Sequence, residues 1–149
     1  MPVLSDIKKI TKLTLADYAM IGEALFYLLV SDFLIYLLPM RWWSGWIGET
    51  GQANNNEPVS EQQKQKVLQV RKNVYRADKL LLKTSRCFAF SLAIKKMLNR
   101  RNINASLYLG VNKGGDGALK AHAWVKGGEN IIYGGTNASE KYTQLISFG

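Results

Sequence analysis

The chain contains one cysteine, Cys87, and one histidine, His122, so any chemistry that needs a thiol or an imidazole has a single residue to rest on. Thr84-Ser85-Arg86-Cys87 directly precedes an apolar helical pattern, and with Thr84 or Ser85 as N-cap the cysteine falls in the first turn. The unpaired backbone N–H groups and the positive dipole end found there favour an anion, so the thiolate form is stabilised. Arg86 acts in the same direction, and a backbone N–H at the same helix end can receive the oxyanion of a tetrahedral intermediate. His122 lies in Ala121-His122-Ala123-Trp124-Val125. On a strand, 122 and 124 share one face while 121, 123 and 125 share the other, and the alanines leave room beside the imidazole. A neutral imidazole next to a helix-start thiol can take its proton, giving the thiolate–imidazolium pair of a cysteine peptidase or acyl transferase. The plainer reading makes Cys87 a small buried hydrophobe and His122 a satisfied structural residue. Zinc is a poor alternative, because one Cys and one His leave at least one further ligand to be sought among carboxylates with no spacing to guide the choice.

These two residues must be positioned by helices that come first and strands that follow. Thr14-Leu15-Ala16-Asp17 has the form of a capping box with Asp17 in the place of the usual Glu, and a helix is predicted from there to Leu38, stopped by Pro39. Its apolar residues cover nearly the whole circumference, so it requires covering by protein, a partner or a membrane surface. Trp42, Trp43 and Trp46 follow as a packed aromatic corner or an exposed docking patch. Residues 48–58 are the clearest loop, rich in Gly and Asn. A second helix is expected over 60–79, with Val67, Val70, Val74 and Leu81 on one face, and a third over 85–100, with Phe90, Ile94 and Leu98 on one side. The period then changes, and 105–111, 121–125, 131–133 and 142–148 read as strands, with Gly127-Gly128 as a hairpin turn between the second and third. Helices followed by an antiparallel sheet make an α+β fold. The organisation expected is an N-terminal helical region at 1–56 and a core at 57–149.

Twenty basic and eleven acidic residues give a net charge of +9 in 149 residues, and 47% hydrophobic residues suffice for a core, which excludes a disordered tail. Residues 1–50 carry four basic and five acidic side chains, so the excess lies entirely in 51–149, with 16 against 6. Within 18–40, Glu23 and Asp32 leave charge-free stretches of only eight residues, 24–31 and 33–40. Each spans about 12 Å as helix against roughly 30 Å of hydrocarbon, so no simple membrane span is expected. Lys8, Lys9 and Lys12 imitate the start of a signal peptide, yet Asp17 and Glu23 interrupt the apolar region and no small-x-small cleavage site follows. A lone cysteine fits a reducing compartment, and the expected location is cytoplasmic. Lys95, Lys96, Arg100 and Arg101 gather at the end of the third helix, where they complement the helix dipole or attract an acidic peptide or nucleic acid. No nucleic-acid motif accompanies them, so nucleic acid is not an expected partner. Gly114-Gly115-Asp116-Gly117 is a connection before the His122 strand or a rim of the cleft, and it lacks the Lys-Ser/Thr of a phosphate-binding loop; no cofactor is expected.

Ser85-Arg86-Cys87-Phe88-Ala89-Phe90-Ser91-Leu92-Ala93, then 98–101, Leu107-Tyr108-Leu109-Gly110-Val111 and Ala121-His122-Ala123-Trp124-Val125 resemble the transglutaminase-like leader peptidases of lasso-peptide biosynthesis. That family has a Cys opening a helix in a C-x-x-x-S-L-A context, a strand ending in Gly-Val and an A-H-A-W-V strand. The similarity covers roughly 85–148, and the upstream Glu23-Ala24-Leu25, Leu38-Pro39, Arg41-Trp42 and Ile47-Gly48 also look like the family's N-terminal region. The resemblance implies a transglutaminase/papain-like fold. It implies a cysteine endopeptidase with Cys87 as nucleophile and His122 as general base and acid, releasing the leader from a lasso precursor through a thioester. It also implies two protein partners: a separate leader-binding recognition protein and an ATP-dependent macrolactam cyclase.

One departure concerns the group that orients the histidine. The family places an Asp about a dozen residues after it, and that register falls here on Gly134. With Gly127-Gly128 as a two-residue turn, His122 is expected opposite Tyr133 and Glu129 lies too far along the ladder to reach it. Asn137, Glu140 or a backbone carbonyl are left as alternatives, and the third member is unassigned. The missing acid motivates two other readings, a non-enzymatic peptide-binding scaffold of the same fold and, from the charge, a basic nucleic-acid-binding protein.

Overall fold

The computed structural model describes residues 13–51, 58–81 and 87–149. Helix α1 (Leu15–Leu37) starts at a complete capping box: the Thr14 hydroxyl accepts from the Asp17 N–H, and the Asp17 carboxylate accepts from the Thr14 N–H. It ends at Leu38, one residue before Pro39, as the proline requires. Pro39 then serves as N-cap of a further helix, α2 (Met40–Ile47), which the tryptophan-rich stretch did not announce. The Trp43 indole N–H donates to the Leu38 carbonyl at 3.2 Å and ties the corner together. The three tryptophans divide accordingly. Trp43 is buried, Trp42 is 68% exposed, and Trp46 is partly covered by the Lys96 ammonium 4.3 Å above its ring.

Helix α3 (Glu61–Leu80) begins at a second capping box, Ser60 with Gln63, and buries Val67, Val70 and Val74 on the face the periodicity predicts. Helix α4 (Cys87–Asn99) is buried almost all round, from Ala89 to Lys95 and again at Met97 and Leu98. It packs on α1 and α3 on one side and on the sheet on the other, so the flanking helices use its apolar surface beyond the stripe of Phe90, Ile94 and Leu98. The strands follow as β1 (Ser106–Lys113), β2 (Leu119–Gly127) and β3 (Asn130–Tyr133), then a single turn of helix, α5 (Ala138–Lys141), and β4 (Thr143–Phe148). They form one antiparallel sheet in the order β3-β2-β1-β4. Residues 114–117 form the tip of the β1–β2 hairpin, closed by the Gly114 N–H to the Ala118 carbonyl at 2.8 Å. The architecture is α+β, with helices first and the sheet after them.

The main core takes Ile21, Ala24 and Leu28 from α1, Trp43 and Ile47 from α2, the α3 valines and the α4 residues. Leu107, Ala123, Val125 and Phe148 join it from the inner sheet face. Segments on both sides of residue 56 share this core. A smaller cluster of Tyr108, Trp124 and Ala138 occupies the other sheet face. The acids of α1 turn toward the protein. Arg101 donates to Glu23 at 2.7 and 3.2 Å and to the Met97 carbonyl at the end of α4, with Arg100 3.4 Å from the same carboxylate. The Asn73 amide donates to Asp17 at 3.2 Å and, with the Thr14 bonds and Arg76 at 3.9 Å, holds that carboxyl below the usual range. The outer side of α1 is left apolar.

The β2–β3 register corrects one expectation. The turn is made by Gly128 and Glu129, Gly127 pairs with Asn130, and Val125 rather than His122 lies opposite Tyr133. Gly128 supplies the positive φ of +61°, whereas Gly127 is the last residue of β2, packed so closely that a Cβ there would meet Ile132 and Val59 at 2.8 Å. A register shift between Val125 and Lys126 then moves the end of β3 along β2.

Candidate active site

Cys87 is the first residue of α4, as the placement of the apolar pattern requires, and is half-buried. Its proposed cap and neighbour, Thr84, Ser85 and Arg86, lie outside the described residues. Cys87 packs against the main core on the helix side of the sheet. Tyr133, at the end of β3, packs against the same core, and its ring stacks on Phe90 with centroids 4.5 Å apart. Burial pushes the Tyr133 phenol above its ordinary pKa, and the charges of Cys87 and Asp78 push it further the same way. The phenol is therefore a neutral O–H, able to donate, beside the thiol.

His122 is on β2 with Gly110 of β1 directly opposite. Alternation puts Ala123 and Val125 into the main core and turns His122 and Trp124 to the other face. The room expected beside the imidazole is thus closed on one side, since Ala123 is fully buried beneath the helices. The imidazole stacks on Tyr142 at 4.8 Å and more distantly on Trp124 at 6.4 Å. Gly110 makes this packing possible: a Cβ there would meet the Trp124 ring and the Thr143 carbonyl at 2.7 Å. The Trp124 indole N–H is buried beside the histidine with no hydrogen-bond partner among the described residues.

The orienting group sits at the position where a carboxylate was sought, and it is a carbonyl. His122 Nε2 lies 2.7 Å from the Gly134 oxygen. A carbonyl only accepts, so Nε2 carries the proton in the neutral ring and Nδ1 keeps its lone pair. Gly134 can do this because it has no side chain: its φ is +109°, and a Cβ would fall 2.8 Å from the Trp124 Cα and 3.0 Å from the Ala123 oxygen. An Asp could not occupy this backbone as it stands. Glu129 and Glu140 are exposed, on the hairpin turn and on α5, and Asn137 is the residue before α5.

Two consecutive residues thus serve the two sides, Tyr133 in the core that Cys87 joins and Gly134 as the partner of His122. Among the described residues no hydrogen bond joins the thiol to the imidazole. The two residues lie on opposite faces of the sheet, the thiol with the helix-side core and the imidazole with Trp124 and Tyr142. Among the described residues no three His, Cys, Asp or Glu side chains gather as a metal site. Tyr133 and the Gly134 carbonyl were missed by sequence reasoning as specific participants; the one available signal was their place after a β-branched pair on the strand following the histidine.

No curated protein and no solved structure matches the chain. A family model does, the transglutaminase-like superfamily, over residues 34–147. The match runs from the last turn of α1 into β4 and so spans the Cys87 helix and the His122 strand. The matched residues make up more than half of the chain, and their helices-then-antiparallel-sheet order is consistent with that fold; the chain belongs to the transglutaminase-like superfamily, which includes cysteine proteases.

Proposed function

We propose that the chain is a cysteine endopeptidase that removes the leader from a lasso-peptide precursor, with Cys87 as nucleophile and His122 as general base and acid. The observation that carries this reading is the placement of the Cys87 thiol at the head of α4 in a transglutaminase-like domain, with His122 held as the Nε2–H tautomer that leaves Nδ1 as a base; a rearrangement that brings Nδ1 to the thiol, which lies on the other face of the sheet, is part of the proposal. The resemblance of the Cys87 and Ala121–Val125 motifs to the lasso leader peptidases supplies the substrate class. Nδ1 takes the Cys87 proton, and the thiolate attacks the carbonyl carbon at the leader–core junction. The C–N bond breaks, the imidazolium proton passes to the departing core amine, and a thioester remains on the leader. Water, deprotonated by His122, then attacks the thioester. The leader carboxylate leaves and the proton returns to the thiol. Backbone N–H groups at the start of α4 receive the oxyanion in both halves.

A separate leader-recognition protein delivers the precursor, and an ATP-dependent macrolactam cyclase consumes the freed core. The protein works in the cytoplasm and holds no cofactor. A second reading, a binding scaffold that does not cut, is favoured by the carbonyl in place of a carboxylate, because a neutral acceptor stabilises imidazolium less than an anion does. Mass spectrometry of a cognate precursor with and without the recognition protein, beside Cys87→Ala and His122→Ala, separates the two. One cut between leader and core that both substitutions abolish supports the peptidase. Tight precursor binding with no cut by the unaltered protein establishes the scaffold.

A further inference from the structure

Strand β3 accompanies β2 only from Gly127 back to Val125. At Gly134, where φ is +109°, the chain leaves the sheet and its carbonyl turns to His122 on the outer face. Residues 119–122 of β2 are therefore an open edge, with no strand beside them on that side among the described residues. The hairpin bond from the Gly114 N–H to the Ala118 carbonyl fixes which groups this edge offers. In the register that follows, Lys120 and His122 turn their backbone N–H and C=O to β1, so those of Leu119 and Ala121 point away from the sheet. The opposite edge differs: β4 carries a bulge at Leu145, and its end is paired with Thr50. Bulges and covering segments protect an edge against other chains, and the His122 strand has neither over 119–122.

We infer that this edge of β2 is the binding site for an extended peptide segment, which joins the sheet as a further strand in line with β3. Leu119 and Ala121 offer two backbone donors and two acceptors, and the complement of that row is the backbone of another extended chain. Side chains select the peptide. Alternation puts Leu119 and Ala121 on the helix side with Ala123 and Val125, yet Leu119 is 72% exposed and Ala121 is exposed too, so an apolar peptide side chain gains cover beside Leu119. Lys120, exposed on the outer face with His122, is the one charge of the stretch and favours an acidic neighbour there. A strand laid on this edge lies in the plane of the sheet, between the face that holds Cys87 and the face that holds His122, and its backbone borders both. The inference takes from the peptidase reading only that the ligand is a polypeptide.

The test uses the full chain carrying Cys87→Ala and a synthetic peptide spanning the leader–core junction of the cognate precursor. Hydrogen exchange read by NMR should find the Leu119 and Ala121 amides fast in the free protein and slowed about tenfold or more by the peptide. Ala121→Pro removes an outward N–H and none of the bonds to β1. It should weaken peptide binding about tenfold, the worth of one to two backbone hydrogen bonds, with circular dichroism unchanged. Methylating the peptide's backbone nitrogens at alternate residues should weaken binding as much in one register and little in the other. Binding that leaves both amides fast, or that tolerates both methylation registers, overturns the inference, as does a peptide that does not bind. If Ala121→Pro does not fold, the exchange and methylation results decide. Amides already protected in a concentration-dependent dimer assign the edge to a second copy and overturn it equally. Cleavage by the unaltered protein is read in parallel: a protected edge without cleavage refutes the peptidase reading alone, and cleavage without protection refutes this inference alone.

Discussion

Lys95 is fully buried in the third turn of α4, and its ammonium donates to the Gly149 carbonyl at 3.1 Å. Removal from water, with a smaller repulsion from Lys96, lowers its pKa from 10.5 to about 8. A lysine with a depressed folded pKa carries its full penalty below pH 8, where both states are charged. The difference of 2.5 pH units corresponds to about 3 kcal/mol. As pH rises through 8 the folded state sheds its proton first, the unfolded chain holds more protons, and stability increases until about pH 10.5. By pH 9.5 the gain is about 2 kcal/mol from this group. Urea unfolding at pH 7, 8.5 and 9.5 should show that rise in the unaltered protein, and Lys95→Met should remove most of it, leaving the part due to Lys96, whose pKa burial also lowers. Tyr133 works in the opposite direction, losing stability only above its ordinary 10, so stopping at pH 9.5 keeps the two apart. If the two proteins differ by less than about 0.5 kcal/mol in their change between pH 7 and 9.5, the buried charge is not where the structure puts it. The tie from Lys95 to Gly149 also fastens the Cys87 helix to the end of β4, so this measurement reports on the support of the site.

Three further outcomes are expected. Nitrogen-15 spectra of the neutral His122 ring should place the proton on Nε2, with that N–H protected from exchange; a proton on Nδ1 contradicts the Gly134 contact. Gly134→Ala should destabilise the protein by about 2–5 kcal/mol, from left-handed backbone strain plus overlap with Trp124, and Gly134→Asp should do no better, so a melting temperature unchanged by either refutes the packing described. Glu23→Gln should cost about 2–4 kcal/mol by leaving Arg101 without its carboxylate partner, whereas Arg100→Gln, at an exposed position, should cost under about 1 kcal/mol. Chemical denaturation of the two variants checks the contrast.

Much of this arrangement was legible in the residues because it rests on local rules. The Thr14–Asp17 and Ser60–Gln63 boxes mark helix starts, and the change from helical to alternating period marks the sheet. The placement of Cys87 at the head of an apolar run follows from its neighbours alone. What was not legible depended on distant packing or on backbone atoms. Helix α2 forms because Trp43 finds the Leu38 carbonyl and a core to enter, which a run of Trp and Met with Pro39 ahead does not reveal. Gly127-Gly128 offers two equivalent turn residues, and the pairing of Gly127 with Asn130 across the ladder leaves 128 as the left-handed one. The partner of His122 is a carbonyl, a group every residue possesses, so no side chain signals it. The all-round apolar pattern of α1 predicted a need for covering without telling which side the acids would turn to.

The Glu23–Arg101 pair spans 78 residues of chain. On a ribosome adding about 5–20 residues per second, α1 exists for roughly 4–16 s before its arginine partner has been made. For the first half of that interval the helix has neither α3 nor α4 to pack on, and Glu23 has no arginine partner until its end. To any factor that reads emerging chains, it is a hydrophobic segment of membrane-spanning length. Its fate is therefore decided by a race between capture of the nascent segment and arrival of the residues that turn its acids inward, which makes the rate of translation between α1 and α4 a determinant of the yield of folded protein.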